Sequence, residues 1–370
     1  MSTFSGKNQE VSFFLPSLSG GGMEKMTIRI AKEFAKRGVK TSIVLTTYEG
    51  EYKSKVPAGV EVYDLSASYM MLSIPSLVRY VKSHNVKKLV SIGRVCNIIA
   101  LMSRRLGGLE DLEVTISLRN VESKKKDGII RKIYRGIAKC TYSSADKITA
   151  ISEAVLDDHL GFINSKEGNV KVIYNPALSV EVMKMGKKSV DHPWLKSGVP
   201  VILAVGRLVE QKNFSMLIKA FRRVRQQRRC KLIILGKGPK KEDMKKIARR
   251  HGVWRYIDMP GFKSNPYKYM KQSDIFVLSS KWEGFGNVIV EAMAQGTPIV
   301  STNCEGGVSE ILEDGKWGKL VPVNSIDRFA SEILNTLESG GETDTKERAS
   351  DFRVEKVADE YLSLIFDQDE

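Results

Sequence analysis

The chain has few cysteines and no long hydrophobic run, and these two absences exclude several classes of protein. Its four cysteines are dispersed, with no Cys-x-x-Cys pair, which argues against a zinc site or a disulfide framework and suits a reducing cytoplasm. No run approaches the roughly 18 apolar residues needed to cross a bilayer. The N-terminus also lacks the basic start and apolar stretch of a secretory signal. The sequence therefore predicts a cytoplasmic protein.

Closely spaced acidic pairs of the kind that hold a metal ion are also scarce. Asp-x-Asp occurs only as Asp367-Gln368-Asp369, where a solvated C-terminal tail is the expected role. We therefore expect no required metal and no other cofactor.

Negative charge is in short supply, since 43 Asp and Glu face 59 Lys and Arg and leave a net charge of +16. More than half of this excess lies in residues 1–180. Such an excess favours anionic partners: nucleic acid, phospholipid or a diphosphate-bearing substrate. No basic strand interleaved with aromatic residues and no recognition helix is recognisable, so we expect no nucleic acid partner, although a nucleic-acid-binding protein stays an alternative.

The length of 370 residues allows two domains with separate cores. Short apolar runs alternate with helical stretches throughout, a pattern typical of α/β domains with parallel sheets. We predict one domain over residues 1–178 and a second over residues 199–350. Residues 179–198 show no clear periodicity and are predicted to be a linker. Residues 351–370 contain a last amphipathic helix.

The most informative stretch runs from Glu283 through Gly284-Phe285-Gly286 to Glu291. A buried strand is predicted before it and a helix within it, so one carboxylate lies in a glycine-rich turn and the other inside the helix. The glycines leave backbone N–H groups uncovered at the helix N-terminus, which attracts a phosphate. Carboxylates only accept hydrogen bonds and so suit a ligand rich in hydroxyls. An anion combined with vicinal hydroxyls describes a nucleotide sugar.

Two other turns follow predicted strands and suit the same ligand. Gly21-Gly22-Met23-Glu24 comes after the first strand, and its glycines allow the backbone close to a ligand at a helix N-terminus. Arg207 and Lys212 lie in the turn after the first strand of the second half. Arg207 can direct two donors at phosphate oxygens, and Lys212 adds a point charge.

Together these three motifs resemble the retaining glycosyltransferases of the GT-B fold, in particular glycosyltransferase family four. The resemblance implies an α/β fold of two Rossmann-like domains facing a central cleft. The first domain would lie on the acceptor side, the second would bind the nucleotide sugar, and the last helix would cross back to the first. Glu283 would contact the transferred sugar, and Glu291 would bind the ribose hydroxyls.

The resemblance also implies a set of donor-binding residues, in which Arg207 and Lys212 neutralise the departing nucleoside diphosphate. These residues are Gly21, Gly22, Arg207, Lys212, Phe262, Gly284, Phe285, Gly286, Asn287 and Glu291. Many relatives carry a histidine near the reacting centre, where this chain has Arg119. A cation there could still stabilise the leaving phosphate, so Arg119 joins Glu283 as a predicted catalytic residue. An ordinary ion pair is the alternative for Arg119.

A basic segment, residues 123–139, combines a cationic face with Ile129, Ile133 and Ile137 at four-residue steps. Such a helix can lie on anionic lipid or bind a pyrophosphate headgroup. The alternative is a helix that packs its apolar side into the core. The residues predicted to face the membrane or the acceptor are Lys124, Lys125, Lys126, Arg131, Lys132 and Arg135.

The resemblance predicts a retaining, metal-independent enzyme that moves a hexose or N-acetylhexosamine from a UDP-sugar to a glycan acceptor. UDP-GalNAc, UDP-GlcNAc or UDP-galactose is the expected donor, with GDP-mannose left open. The expected acceptor is a polyprenyl-diphosphate-linked glycan at the inner face of the membrane, in the assembly of bacterial surface polysaccharide or glycoprotein glycans. One alternative is a UDP-N-acetylglucosamine 2-epimerase of the same architecture, which needs no acceptor.

Overall fold

The computed structural model describes residues 9–19, 21–123, 128–160, 163, 169–341 and 344–366. The chain divides into two compact units. The first contains the described residues up to Pro176 together with those from Val354 onward, and the second runs from Ala177 to Arg353. Each unit has its own sheet and its own core. No helix in these described ranges is long and apolar enough to cross a bilayer.

The first unit is built on a seven-stranded sheet in which every neighbouring pair is parallel. The strands are β1 (Glu10–Leu15), β2 (Lys40–Leu45), β3 (Val60–Asp64), β4 (Lys88–Ile92), β5 (Glu113–Leu118), β6 (Lys147–Ala150) and β7 (Val170–Val172), in the order β3-β2-β1-β4-β5-β6-β7. The helices between them are α1 (Gly22–Lys36), α2 (Ser73–Ser83), α3 (Arg94–Gly107), α4 (Ile129–Thr141) and α5 (Glu153–Leu160). Consecutive residues of β1, such as Phe13 and Phe14, are both buried because helices cover both faces of the sheet.

The second unit contains a six-stranded parallel sheet. Its strands are β8 (Val201–Val205), β9 (Lys231–Leu235), β10 (Ile257–Gly261), β11 (Ile275–Leu278), β12 (Ile299–Asn303) and β13 (Lys319–Pro322), in the order β10-β9-β8-β11-β12-β13. Its helices are α6 (Val180–Gly186), α7 (Phe214–Gln227), α8 (Lys241–Arg250), α9 (Tyr267–Gln272), α10 (Asn287–Ala294), α11 (Val308–Ile311), α12 (Ile326–Ser339) and α13 (Thr345–Ala349). Both units therefore have the strand order of Rossmann-like domains, as predicted.

The strand order of the second unit reverses at β8, which lies between β9 and β11. At such a point the connections leave toward opposite faces of the sheet, and a crevice opens beyond the carboxyl ends of the two central strands. The turns that follow β8 and β11 therefore border the place where a ligand is expected.

The segment predicted as a linker, residues 179–198, contains regular structure and belongs to the second unit. It includes α6 and a short 3-10 helix at Pro193–Lys196. α6 packs against α9, and a Cβ at Gly186 would lie 1.8 Å from Oε1 of Gln295. A helix of seven residues is too short to show apolar periodicity, which explains why the sequence predicted only a linker there.

The last helix, α14 (Val354–Phe366), is part of the first unit and packs against α1. Val357, Tyr361 and Leu362 are buried in the same core as Phe13 and β1. Arg37 at the end of α1 donates to the Glu355 carbonyl at 2.9 Å and forms an ion pair with the Asp359 carboxylate. Burial of the apolar face of α14 contributes most to the stability of this packing, because exposed ion pairs add little to the free energy of unfolding.

Candidate functional site

The candidate site of the second unit lies at the carboxyl edge of its sheet, at the reversal of strand order. β8 leads into Gly206 and Arg207, and β11 leads into the turn that holds Glu283. Because β8 and β11 are paired neighbours, these two turns begin side by side. This arrangement brings Lys212 and Glu283 together although they are 71 positions apart in sequence.

Two glycines allow the turns after β8 and β9 to interlock. A Cβ at Gly236, where φ is 148°, would lie 1.8 Å from the Gly206 carbonyl oxygen, and one at Gly238 would lie 2.5 Å from that of Leu208. The backbone N–H of Leu208 donates to the Lys237 carbonyl at 3.0 Å. The backbone segments come so close here that only glycine fits at positions 236 and 238. This close contact fixes the loop that carries Arg207.

Arg207 and Lys212 occupy contrasting surroundings. Arg207 is exposed, and its side chain forms no ion pair or hydrogen bond with any residue the structure describes. Lys212 ends a short 3-10 helix, and its side chain is only 13% exposed because Nζ lies 2.5 Å from Oε1 of Glu283. One predicted cation is therefore open to a ligand, and the other already has an anionic partner.

Glu283 is nearly buried and is held by several neighbours. It is 7% exposed, and its Oε1 accepts hydrogen bonds from Lys212 Nζ and from Ser280 Oγ, each at 2.5 Å. Its backbone N–H donates to the Glu305 carbonyl at 2.9 Å. A Cβ at Gly306 would lie 1.8 Å from the Glu283 carbonyl oxygen, so this approach needs a glycine. A carboxylate placed this rigidly can face a developing positive charge.

The glycines of the same turn prepare the N-terminus of α10. Gly286 precedes the helix with φ of 110° and has no side chain with which to cap it. The N-terminus of a helix carries the positive end of its dipole, so this end of α10 favours an anionic ligand. Phe285 can offer a ligand only its backbone, because its side chain is 2% exposed and packs edge-on against Phe352 at 5.5 Å. Gly284 and Asn287 flank these residues as predicted donor contacts.

Glu291 lies on α10 one turn beyond its first residues, and it is 4% exposed. The hydroxyl of Tyr267 on α9 donates to its Oε1 at 3.3 Å. A buried carboxylate with hydrogen-bond partners keeps a fixed orientation. Such a group suits recognition of a hydroxyl pair.

Phe262 follows β10 and presents its ring to solvent, with 55% of its surface exposed. Lys237, in the interlocked turn after β9, places its Nζ 5.6 Å from the ring centroid. An exposed aromatic ring beside a cation offers a stacking surface for a planar base.

The glycine turn of the first unit lies at the N-terminus of α1. Gly21 is the residue before the helix, Gly22 is its first residue, and Glu24 lies in the first turn. The Glu24 carboxylate folds back, since a Cβ at Gly21 would lie 2.5 Å from its Oε2. A first-turn carboxylate stabilises the helix N-terminus through the dipole, so this end of α1 already has an anion of its own.

Arg119 lies at the end of β5 and borders a small apolar cavity of about 10 Å³ lined by Phe13, Met26 and Tyr361 among others. Burial lowers the pKa of the Arg119 guanidinium, while the Tyr361 hydroxyl and the Glu24 carboxylate act in the opposite direction. The group remains a cation because its pKa starts far above neutrality. The structure therefore places Arg119 between α1, β5 and α14, in contact with side chains of its own unit.

The basic segment is only partly described. Lys124, Lys125 and Lys126 lie outside the described residues, as does the side chain of Arg131. Lys132 and Arg135 are exposed on α4. The apolar stripe is exposed too: Ile129 by 80% and Ile133 by 56%. The alternative that this stripe packs into the core is therefore wrong for these two residues.

Sequence analysis missed Ser280, which binds the Glu283 carboxylate, and it predicted a structural role for Gly306. A hydroxyl three residues before a predicted catalytic carboxylate was the available signal for Ser280. Among the described residues, no three His, Cys, Asp or Glu side chains are grouped closely enough to hold a metal ion.

Comparison with known protein families and structures agrees with this architecture. The family model Glycosyltransferase Family 4 matches residues 20–177, and the model Glycosyl transferases group 1 matches residues 189–352. A structure of HepE from Anabaena in complex with UDP and glucose aligns with a TM-score of 0.78 and 19% identity, over 98% of this chain and 100% of that one. The apo lipopolysaccharide outer core galactosyltransferase WaaB aligns with a TM-score of 0.75 and 20% identity, over 97% and 99%.

Two relatives identified by sequence are also glycosyltransferases. The chain is 26% identical to N-acetylgalactosamine-N,N'-diacetylbacillosaminyl-diphospho-undecaprenol 4-alpha-N-acetylgalactosaminyltransferase of Campylobacter jejuni, over 96% of this chain and 99% of the relative. It is 32% identical to the lipopolysaccharide core biosynthesis glycosyltransferase LpsE of Rhizobium meliloti, over 53% and 57%. With a Glycosyltransferase Family 4 domain in its first half and a Glycosyl transferases group 1 domain in its second, this chain belongs to the glycosyltransferases of the GT-B fold.

Proposed function

We propose that the protein transfers a hexose or N-acetylhexosamine from a UDP-sugar to a polyprenyl-diphosphate-linked glycan, with retention at the anomeric carbon and without a metal ion. The observation that carries this proposal is the grouping of Arg207, Lys212 and Glu283 at the reversal of strand order, beside the N-terminus of α10. Two cations and a helix N-terminus suit a diphosphate, and the nearby carboxylates Glu283 and Glu291 suit the hydroxyls of a sugar and a ribose.

The charges of these groups match those of the reaction. Breaking the bond between the sugar C1 and the phosphate oxygen builds negative charge on the diphosphate and positive charge on the ring. Arg207, Lys212 and the N–H groups at Gly286 stabilise the first, and Glu283 stabilises the second. The acceptor attacks the same face that the diphosphate leaves, and the departing phosphate takes the acceptor proton, so no metal ion or protein nucleophile is needed.

The relatives support the choice of substrates. The Campylobacter jejuni relative is named for transfer of N-acetylgalactosamine to an undecaprenol diphosphate glycan. The structural neighbour HepE was solved with UDP and glucose. A UDP-sugar donor and a lipid-linked acceptor are therefore the first substrates to test.

Helix α4 supports a peripheral contact with an anionic membrane, where a polyprenyl-linked acceptor resides. Exposed Ile129 and Ile133 stand beside exposed Lys132 and Arg135 on one short helix. An apolar stripe flanked by cations is the arrangement of helices that lie in the bilayer interface.

The proposal is tested with a panel of UDP- and GDP-sugars, each incubated with and without an undecaprenyl-diphosphate glycan. We expect UDP release that depends on the acceptor, a product heavier by one sugar in mass spectrometry, and an α-linkage from an α-donor by NMR. Activity should persist in EDTA. UDP release or sugar epimerisation without any acceptor would favour the epimerase instead, and inversion of the linkage would contradict the mechanism.

A further inference from the structure

Lys212 and Ser280 donate to the same oxygen of Glu283. Lys212 Nζ and Ser280 Oγ each lie 2.5 Å from Glu283 Oε1, and the side chains of Lys212 and Glu283 are 13% and 9% exposed. No described group donates a hydrogen bond to Oε2. The ammonium charge assigned to the diphosphate is therefore neutralised by the carboxylate assigned to the sugar.

We propose that Lys212 exchanges partners during the reaction: it pairs with Glu283 in the free protein and with the donor diphosphate in the complex. This inference rests on the proposed function. A lysine ammonium carries one charge on a flexible stem, so it can turn from one anion to another. A diphosphate carries more negative charge than a single carboxylate and so attracts the ammonium more strongly at equal distance.

The exchange changes the state of Glu283. Once Lys212 turns away, the carboxylate is no longer neutralised and can oppose the positive charge that develops on the sugar ring. Donor binding therefore releases, from its ion pair, the carboxylate whose negative charge the transition state needs. In the free protein the same carboxylate stays paired, which avoids the cost of a nearly buried, uncompensated charge.

Ser280 is the positioning residue in this exchange. It is fully buried, and its carbonyl accepts a hydrogen bond from Thr302 Oγ1 at 2.7 Å, so its place is set independently of Lys212. Its hydroxyl bond to Glu283 Oε1 does not involve the ammonium. Ser280 therefore keeps the carboxylate in position after Lys212 has left.

Because the two anions compete for one cation, Glu283 weakens binding of a diphosphate that carries no sugar. The test measures the affinity of the full chain for UDP and for inorganic pyrophosphate by calorimetry. Glu283→Gln should bind both about tenfold more tightly, equivalent to about 1.4 kcal/mol, while it loses transferase activity. Glu305→Gln is the matched control, since it removes an exposed carboxylate from the adjoining backbone segment and should leave both affinities unchanged.

A double-mutant cycle separates the exchange from a general charge effect. In a Lys212→Gln background, Glu283→Gln should no longer raise the affinity for UDP. Ser280→Ala should keep the UDP affinity and the donor KM near wild-type values while kcat falls at least tenfold. A loss of folding would lower both affinities together with the melting temperature.

The results distinguish this inference from the proposed function. If wild type binds UDP but Glu283→Gln does not bind it more tightly, or if the gain persists without Lys212, the exchange is wrong and the proposed function stands. If the wild-type protein binds none of UDP, GDP and pyrophosphate, both the exchange and the proposed function are overturned.

Discussion

Replacing Arg207 by alanine should change the affinity for the donor without changing the stability of the fold. The side chain is exposed and makes no ion pair or hydrogen bond with the described part of the chain, so its loss removes none of either kind there. Surface changes of this kind alter the free energy of unfolding by about 0.5 kcal/mol or less. A hydrogen bond between charged partners contributes about 1.5–3 kcal/mol. We therefore expect UDP to bind about 10- to 150-fold more weakly, at an unchanged melting temperature.

The control for this prediction is Arg255→Ala. Arg255 is also exposed and without a described side-chain partner, but it precedes β10 and so lies at the amino edge of the same sheet. Its replacement removes one positive charge without touching the site, and UDP affinity measured by calorimetry should stay within a factor of two or so. Equal weakening by both variants would show that only net charge matters. Wild-type affinity in Arg207→Ala would refute its assignment to the diphosphate.

Two further changes test the scaffold and the membrane contact. In urea denaturation, Gly236→Ala should lower the free energy of unfolding by about 1–3 kcal/mol more than Gly252→Ala. Both glycines have positive φ, but only Gly236 faces a backbone oxygen. Equal losses of stability in the two variants would contradict the close approach of the turns after β8 and β9. Ile133→Glu should reduce sedimentation of the protein with phosphatidylglycerol vesicles at least tenfold. Val180→Glu, at a comparably exposed position on α6, should not reduce it. Unchanged vesicle binding by Ile133→Glu would exclude α4 as the part of the protein that contacts the membrane.

Most strands of both sheets are predictable from the sequence, because central parallel strands are continuous apolar runs between turn residues. Such runs predict strands at 11–15, 41–46, 88–92, 113–117, 147–151 and 171–174 in the first half and at 200–205, 231–235, 275–278 and 298–301 in the second, and each of them overlaps a strand of the structure. Sequence analysis missed β3, β10 and β13, which are edge strands whose side chains are mostly exposed or half-buried. It also missed α3, where Cys96 to Leu101 are all buried, so that the run lacks the polar face of an amphipathic helix. Gly93, the residue before α3, gives no polar capping signal either.

The site was predictable as a set of turns but not as a set of contacts. Residues after the carboxyl ends of strands are natural ligand positions, and this placed Arg207 and Glu283 in the prediction. Their proximity depends on β8 lying next to β11, and apolar runs carry no information on strand order. The burial of Phe285 and the second bond of Glu283 to Ser280 likewise depend on tertiary packing.

The way the loops are fixed explains why Arg207 remains available for a ligand. The turn that carries it is held by backbone hydrogen bonds and by the close approach of Gly236 and Gly238 to neighbouring carbonyls. Had an ion pair of Arg207 anchored the loop instead, a diphosphate would have to break that pair before it could bind. Anchoring through glycines gives the loop its rigidity and leaves the guanidinium uncommitted, so Arg207 can engage the diphosphate while Lys212 is still paired with Glu283. Under the proposed function, two turns on neighbouring strands with these properties predict initial capture of the diphosphate by Arg207 and subsequent exchange by Lys212.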